Sequence, residues 1–272
     1  MNAFNAVTTA IFDLVMAPFG HGPAWFDLVA WSVGCGVVAL VIYKYISNQA
    51  AIARVKDRIK VHLLEIRLFR HDPMMVVGAT GRVFLRNFVY MGHNLLPMVV
   101  LLVPMLVVLI QLEAHYAFAP GKVGDVELFE VALDSDAQVK ATDVTLDLPE
   151  GVRLDAPPVR TADGEIFWRL EATAPGDHVL TVRAGEQSIE KTWAVGNELR
   201  KVPVKRTRSI EALLYPGEPG IPATSPFYSL EIPYPERELG WIVTGELGVL
   251  MVFFVLSLVA GFALKDVFGV TL

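Results

Sequence analysis

The amino-acid sequence predicts a membrane α-helical protein with three transmembrane helices, a cytosolic helical hairpin and an extracytoplasmic all-β domain. The composition is 53% hydrophobic and only 19% charged, whereas soluble proteins carry about 25% charged residues. The apolar residues are concentrated in three long runs, and most basic residues of the first half of the chain lie between the first two runs. Three buried helices of a large soluble core are the weaker interpretation, because soluble cores rarely use uncharged runs of this length.

Each of the three apolar runs is long enough to cross a bilayer core of about 30 Å, which requires roughly 20 helical residues. The runs are Trp25–Tyr43, Asn87–Leu112, which contains Pro97 and Pro104, and Trp241–Leu264. We therefore expect transmembrane helices at residues 23–46, 87–118 and 241–264.

The distribution of Lys and Arg predicts the orientation of these helices. Residues 1–43 contain no Lys or Arg, and residues 44–86 contain nine. Basic flanks mark the cytoplasmic side of a membrane. Residues 44–86 and the C-terminal tail, 265–272, are therefore expected in the cytoplasm, and the N-terminus and residues 119–239 outside it. The expected location is the inner cell membrane.

The first 22 residues lack the basic region of a secretory signal. Their apolar residues share one helical face, which suits an amphipathic helix in the membrane interface. A disordered lead-in is the alternative.

The basic segment that follows the first run has the period of an amphipathic helix. Its apolar residues recur every three or four positions: Ile52, Val55, Ile59, Leu63, Ile66 and Phe69. His71-Asp72-Pro73 is expected to end this helix, because the residue before proline disfavours helical geometry. A second arm, 74–88, leads back to the membrane, so residues 47–86 predict a cytosolic hairpin. The hairpin either contacts lipid, a partner or a client, or packs only on itself.

Beyond Ala119 the sequence alternates between apolar and polar residues in short segments joined by turn signals. This pattern predicts an immunoglobulin-like β-sandwich at residues 119–198, with Trp168 and Trp193 in its core. The only cysteine is Cys35, so no disulfide is available to this domain. Residues 199–240 are rich in proline and predict an ordered strap leading to the third helix.

Five basic residues lie between Arg200 and Arg208. An outside location argues against nucleic acid as their partner, and lipid head groups or the acidic β-domain itself are better candidates.

The sequence contains no phosphate loop, dinucleotide fingerprint, nucleophile elbow or metal-ligand spacing. We therefore expect no enzyme activity, no cofactor and no metal site. The informative residues are instead polar groups at membrane depth, because they are costly there and usually face a cavity or a partner. They are Asn48, Arg82, Arg86, His93 and Asn94 near the cytoplasmic side, and Gln111 and Glu246 near the outside. Glu246 is expected one to two turns inside the third helix. For Arg86 the alternative is snorkelling to the interface.

Two stretches carry a resemblance to a known family: KYISNQAAIARVKDRIKVHLLEIRLFR (44–70) and RNFVYMGHNLLPMVVLLVPMLVVL (86–109). With the order of helices, they resemble the core of the YidC/Oxa/EMC superfamily of membrane-protein insertases, over residues 25–118 and 241–264. The resemblance implies insertion or chaperoning of membrane segments, with the bilayer and membrane-protein clients as partners. It also implies a polar groove lined by Asn48, Arg82, Arg86, His93 and Asn94.

Two features depart from the better-known bacterial members. The chain ends in KDVFGVTL rather than a basic tail, and the β-domain lies between the second and third helices. The alternative function is a non-catalytic accessory or scaffold subunit of a larger membrane complex, which binds an extracytoplasmic partner through its β-domain. A sensor that relays an outside signal to the hairpin ranks last.

Overall fold

The computed structural model describes residues 2–16, 23–134, 143–239 and 244–271. The chain divides into two compact units. We call Met1–Leu28 with Leu109–Met251 the β unit, and Val29–Val108 with Val252–Leu272 the helical unit.

Five α-helices are present in the described residues: α1 (Asn2–Met16), α2 (Ala24–Ile46), α3 (Gln49–Leu68), α4 (Pro73–Tyr116) and α5 (Gly245–Leu264). Three of them, α2, α4 and α5, are long and apolar enough to cross a membrane. The prediction of three spanning-length helices and a separate β region is confirmed. The predicted end of α1, from Pro18 onward, and the start of the third run at Trp241 lie outside the described residues.

The hairpin turn forms at the predicted position, between the end of α3 at Leu68 and the start of α4 at Pro73. The Asp72 carboxylate accepts hydrogen bonds from the backbone N–H groups of Met74 (3.0 Å) and Met75 (3.2 Å). Such a side-chain cap satisfies amides that have no partner within the helix. Proline in the first turn has a φ angle that already suits the helix, so a Pro73 start is favourable.

The second arm of the hairpin and the second apolar run form one continuous helix, α4, of 44 residues. The sequence predicts a boundary between hairpin and spanning helix at residue 86. Neither glycine nor proline occurs from Arg82 to Met91, so no helix-breaking residue ends the helix there. At 1.5 Å per residue α4 is about 66 Å long, roughly twice the thickness of a bilayer core.

The described residues of the β unit form eight strands: β1 (Val126–Leu133), β2 (Val144–Asp147), β3 (Val152–Arg160), β4 (Glu165–Ala172), β5 (Gly176–Ala184), β6 (Gln187–Val195), β7 (Lys205–Thr207) and β8 (Phe227–Glu231). All pairings between named strands are antiparallel. One sheet has the order β3-β4-β1-β8-β7 and the other the order β2-β5-β6.

Both sheets contribute to one hydrophobic cluster. Trp168 from β4 and Trp193 from β6 are buried in it, as predicted. Phe129 of β1 stacks on Trp168, with ring centroids 5.8 Å apart. Alternating burial along β4, β5 and β6 directs every second side chain into this cluster, which is the expected behaviour of strands with one covered face.

The segment predicted as a strap, 199–240, contributes to the same sheet and core. β8 pairs with β1 through Val131 and Leu230, and β7 extends the sheet beyond β8. Ile221, Phe227 and Leu230 are buried in the shared cluster. A stable fragment of the β region must therefore extend beyond residue 198, because cutting there would remove β8, one of the two neighbours of β1 in the sheet.

Candidate functional site

One face of α4 is sheltered within the helical unit and carries several of the predicted site residues. The buried or half-buried positions recur every three or four residues: Val76, Ala79, Val83, Arg86, Tyr90, Asn94, Pro97 and Leu101. The opposite face is apolar and exposed, with Phe84, Phe88, Met91 and Leu95. Helical periodicity thus separates a face with polar groups from a face that suits hydrocarbon.

Asn94 ties α4 to α2. Its carbonyl oxygen accepts a hydrogen bond from the Tyr43 hydroxyl, and its amide nitrogen donates to the Tyr90 carbonyl oxygen at 2.7 Å. Tyr43 and Tyr90 also pack with Leu40 and Ile52 in a small apolar cluster. The polar group of Asn94 is therefore satisfied by two tyrosine residues beside packed apolar side chains.

Arg82 ties α4 to α3 near the hairpin end. Its guanidinium lies 3.0 Å from a Glu65 carboxylate oxygen, and His62 Nδ1 lies 3.0 Å from the same oxygen. The hydrogen bonds from His62 and Arg82 hold the pKa of Glu65 below its ordinary value. Arg82 and Asn94 are twelve residues apart, about 18 Å along the helix, so they lie along one helix without meeting at a point.

Arg86 lies on α4 between Arg82 and Asn94. Its side chain is half-buried on the sheltered face, whereas His93 is exposed. Within the described residues neither side chain makes a hydrogen bond or an ion pair. Arg86 is thus the one cation among the predicted groove residues that combines partial shelter with an uncommitted guanidinium.

Asn48 has a local structural role. It is the N-cap of α3, and its side-chain oxygen accepts a hydrogen bond from the Ala51 N–H at 3.0 Å. Asparagine is a preferred N-cap because a short side chain can reach the free amides of the first turn. The sequence contains this capping signal, which is an Asn directly before an apolar helical pattern. The prediction for Asn48 nevertheless names only a place in the groove.

The hairpin exposes more apolar surface than its sequence pattern predicts. Leu64, Leu68, Met74, Val77 and Phe84 are all exposed, and Met74 reaches 85%. Methionine side chains are flexible and adapt to varied apolar partners. The adjacent pair Met74-Met75 at the hairpin turn is the sequence signal that could have indicated this surface.

The C-terminal residues fold against the junction of α2 and α3. The Lys44 ammonium donates to the Phe268 carbonyl oxygen at 2.7 Å, and the Thr271 N–H donates to the Gln49 side-chain oxygen at 2.6 Å. Val270 is buried in the cluster that contains Tyr43. The sequence predicts only a cytosolic tail at 265–272, without this packing.

In the β unit, Gln111 is buried near the end of α4. It donates to the Thr9 hydroxyl at 3.3 Å and accepts from the Lys201 ammonium at 2.9 Å. Lys201 also pairs with Asp13 at 3.1 Å. These bonds connect α1, α4 and the basic run, which is the segment from Arg200 to Arg208. Gln111 therefore has a structural role within the β unit.

Glu246 is exposed in the first turn of α5, which begins at Gly245. The expected depth of one to two turns is therefore wrong for this helix. A carboxylate in the first turn is favoured by the partial positive charge of a helix N-terminus.

The basic run is paired with acids of its own unit. Lys205 contacts Glu211 at 3.1 Å and Glu231 at 3.3 Å, and Arg208 pairs with Asp134. These basic side chains therefore contact acidic groups of the β unit itself.

A second charged pair is buried in the β unit. The Lys191 ammonium lies 2.6 Å from Glu218 and also donates to the Pro203 carbonyl oxygen. Glu218 in turn accepts the Thr192 N–H at 2.7 Å. Burial lowers the pKa of Lys191, and the Glu218 carboxylate opposes that effect. The pair joins β6 to the loop between β7 and β8.

Among the residues that the structure describes, no group of three His, Cys, Asp or Glu side chains is placed to hold a metal ion. The class of protein that these features define is one with three helices of spanning length and a separate β region. No protein-family model matches the chain, and no curated protein is significantly similar to it.

Proposed function

We propose that this protein is a membrane-protein insertase or chaperone of the YidC/Oxa/EMC type, which helps client segments enter the bilayer without covalent chemistry. The observation that carries the proposal is the half-buried, uncommitted Arg86 on the sheltered face of α4. Charged groups at membrane depth are costly and are retained where they face a cavity or a client. Arg86 is placed to interact with the polar flank of a client that passes this face.

The hairpin supports the proposal with a surface suited to capture of the client. It combines exposed apolar side chains, such as Leu68 and Met74, with a high density of basic residues. Nascent membrane segments are apolar and commonly carry charged flanks, so both parts of this surface have a counterpart on a client.

In this proposal the chain is a multi-pass protein of the inner membrane. Residues 44–86 and the C-terminus are cytoplasmic, and the N-terminus and residues 119–239 are extracytoplasmic, because Lys and Arg are absent before residue 44 and frequent directly after it. The β region is an immunoglobulin-like sandwich in this view. Two antiparallel sheets that share one core support that assignment.

Cysteine labelling of intact cells tests the orientation. In a Cys35→Ser background, Glu186→Cys, in the exposed turn between β5 and β6, should react with an impermeant maleimide. Arg58→Cys in α3 should react only after lysis. The reverse pattern would overturn the orientation.

Client insertion into liposomes tests the insertase function. We expect Arg86→Leu/Asn94→Leu to lower protease protection of a client with an acidic outer flank. Tyr43→Phe is a matched control, since it removes the bond to Asn94 and leaves both groups on α4. Arg58→Leu, on the exposed side of α3, controls for loss of charge. Unchanged protection in the double variant, with wild type well above empty liposomes, would refute the assignment.

The scaffold function remains the second candidate, and one observation favours it. Val126 and Leu128 are exposed on the outward side of β1, in the middle of the larger sheet. If a partner covers this face, deletion of residues 119–239 should dissociate the native complex. The α4 variants should leave that complex intact.

A further inference from the structure

A cavity of about 250 Å³ lies between α3 and α4, beside the face of α4 that carries Arg86 and Asn94. It is lined by Lys56, Ile59 and Lys60 from α3 and by Asn87 and Tyr90 from α4. Its volume approaches the lower end of small-molecule pockets, about 300 Å³. The lining combines two ammonium groups, an amide and a phenol with one apolar side chain.

These groups match an anionic ligand rich in oxygen atoms. Lys56 and Lys60 are one helical turn apart on α3 and therefore face the same side. The Asn87 amide donates one hydrogen bond to the Val83 carbonyl oxygen, and an amide carries two N–H donors. Lys60 pairs with Asp57 at 3.1 Å, but both side chains are well exposed. Such a surface pair is weak and can be exchanged for a ligand at little cost.

The charge surrounding the cavity favours the same ligand class. Residues 44–86 carry nine Lys and Arg residues against three Asp and Glu residues, a net charge of +6 in a protein whose net charge is -6. A segment of this kind attracts phosphate oxygen atoms, and hydrogen bonds between a cation and phosphate are stronger than neutral ones.

The position of the cavity selects the source of the phosphate. Asn87 is the first residue of the uncharged run of α4, and Tyr90 follows one turn later. Tyrosine is enriched where a spanning helix meets the head-group layer. Basic groups adjoining a spanning helix bind anionic lipids, with about 1 kcal/mol from each Lys or Arg near the surface.

We propose that the cavity between α3 and α4 binds the phosphate of an anionic phospholipid head group, with Lys56 and Lys60 as cations and Asn87 and Tyr90 as hydrogen-bond donors. Ile59 contacts the less polar glycerol end of the lipid. One bound lipid bridges both arms, so it stabilises the hairpin against separation. The inference depends on the membrane placement of α4 and is independent of the insertase function.

Thermal unfolding of the full chain in a neutral detergent tests this site. Added phosphatidylglycerol should raise the unfolding temperature, whereas equal concentrations of phosphatidylcholine or inorganic phosphate should not. Lys56→Gln/Lys60→Gln should weaken the lipid response by roughly 30-fold in concentration, since two groups are lost. Arg54→Gln/Arg58→Gln removes the same charge from exposed positions of the same helix and should weaken it much less.

Two results would overturn the proposal. Equal weakening by the two charge-matched variants would mean that a diffuse field, not the cavity, attracts the lipid. An equal response to inorganic phosphate would replace the lipid with a soluble anion.

Tyr90→Phe, which retains the ring, provides a third measurement. It should weaken the phosphatidylglycerol response by loss of one donor and leave the unfolding temperature without lipid unchanged.

Discussion

The β unit and the helical unit place their large apolar side chains in opposite environments. In the β unit Phe129, Trp193 and Phe227 are completely buried. In the helical unit Leu85, Phe88 and Leu102 are 62%, 68% and 61% exposed. The first arrangement removes apolar surface from water by internal packing. The second leaves that surface for an apolar solvent, as expected of helices long enough to cross a membrane.

The two units also treat charge differently. The β unit buries a complete ion pair, Lys191–Glu218, whereas Arg82–Glu65 in the helical unit is at least one-third exposed on both sides. A buried pair is stable only with both partners present, and an exposed pair contributes little. Removing one partner of an ion pair is therefore expected to cost more stability in the interior of the β unit than on the surface of the helical unit.

The largest expected effect separates the two apolar environments. Phe129→Ala should destabilise the β unit by about 3–5 kcal/mol, because it removes a buried ring and leaves a cavity. Phe88→Ala should change stability in detergent by less than about 0.5 kcal/mol. Chemical unfolding followed by tryptophan fluorescence measures both. A comparable loss for the two variants would contradict the contrast between the units.

The buried pair gives a second comparison. Lys191→Met should destabilise the β unit by about 3–5 kcal/mol, because Glu218 is left charged and unpaired. Lys191→Met/Glu218→Leu should recover a large part of that loss, since neither charge remains buried. The same unfolding experiment applies. If the double variant were less stable than the single one, the pair would contribute more than its burial costs.

Close packing within the helical unit provides a smaller effect. A Cβ atom on Gly36 of α2 would lie 2.4 Å from the Ser257 carbonyl oxygen of α5, whereas a Cβ on Gly34 meets nothing within 4 Å. Gly36→Ala should therefore cost about 1–3 kcal/mol by forcing the helices apart. Gly34→Ala is the matched control and should be neutral or slightly stabilising, because alanine favours the helix. Thermal unfolding in detergent distinguishes them.

The smallest effect concerns the exposed pair and pH. The folded-state pKa of Glu65 is lowered, first by its hydrogen bond with His62 and then by Arg82. Its contribution is complete above the unfolded pKa of about 4.3 and is lost as pH falls through the lower folded value. The protection of amides near the end of α3, measured relative to the intrinsic exchange rate at each pH, should fall only in that acidic range.

Glu65→Gln should abolish this pH dependence, because it leaves no carboxylate to titrate. Asp57→Asn, which affects an exposed pair on the same helix, should retain it. A loss of protection already near neutral pH in wild type would contradict the role given to Glu65.

Much of the helical architecture is readable from the sequence because its signals are local. A run of about 20 predominantly apolar residues is enough to predict a spanning-length helix, and α2 and α5 follow that rule. The hairpin turn is likewise encoded at Asp72-Pro73, where a cap and a proline occur together. Asn48 shows the limit of sequence-based prediction. Its capping signal is present in the sequence, but the prediction places the residue in the groove, whereas the structure shows it as the N-cap of α3.

The β unit was less predictable because its pairings join distant residues. The alternating segments that became β1, β4, β5 and β6 are visible in the sequence, and Trp168 and Trp193 follow from them. β8 is short and surrounded by prolines, so only its pairing with β1, about a hundred residues earlier, shows that it is part of the sheet.

By itself, the sequence determined which three segments form helices of spanning length, which segment carries the positive charge, and which segment alternates as strands. These properties depend on neighbours within a few positions along the chain. Only the tertiary structure decided which polar groups are committed to partners. Asn94 is bound to Tyr43 and Arg82 to Glu65, while Arg86 on the same helix makes no such bond in the part of the chain that the structure describes. A hydrogen-bond partner is set by which distant helix packs alongside, and no local pattern records that choice.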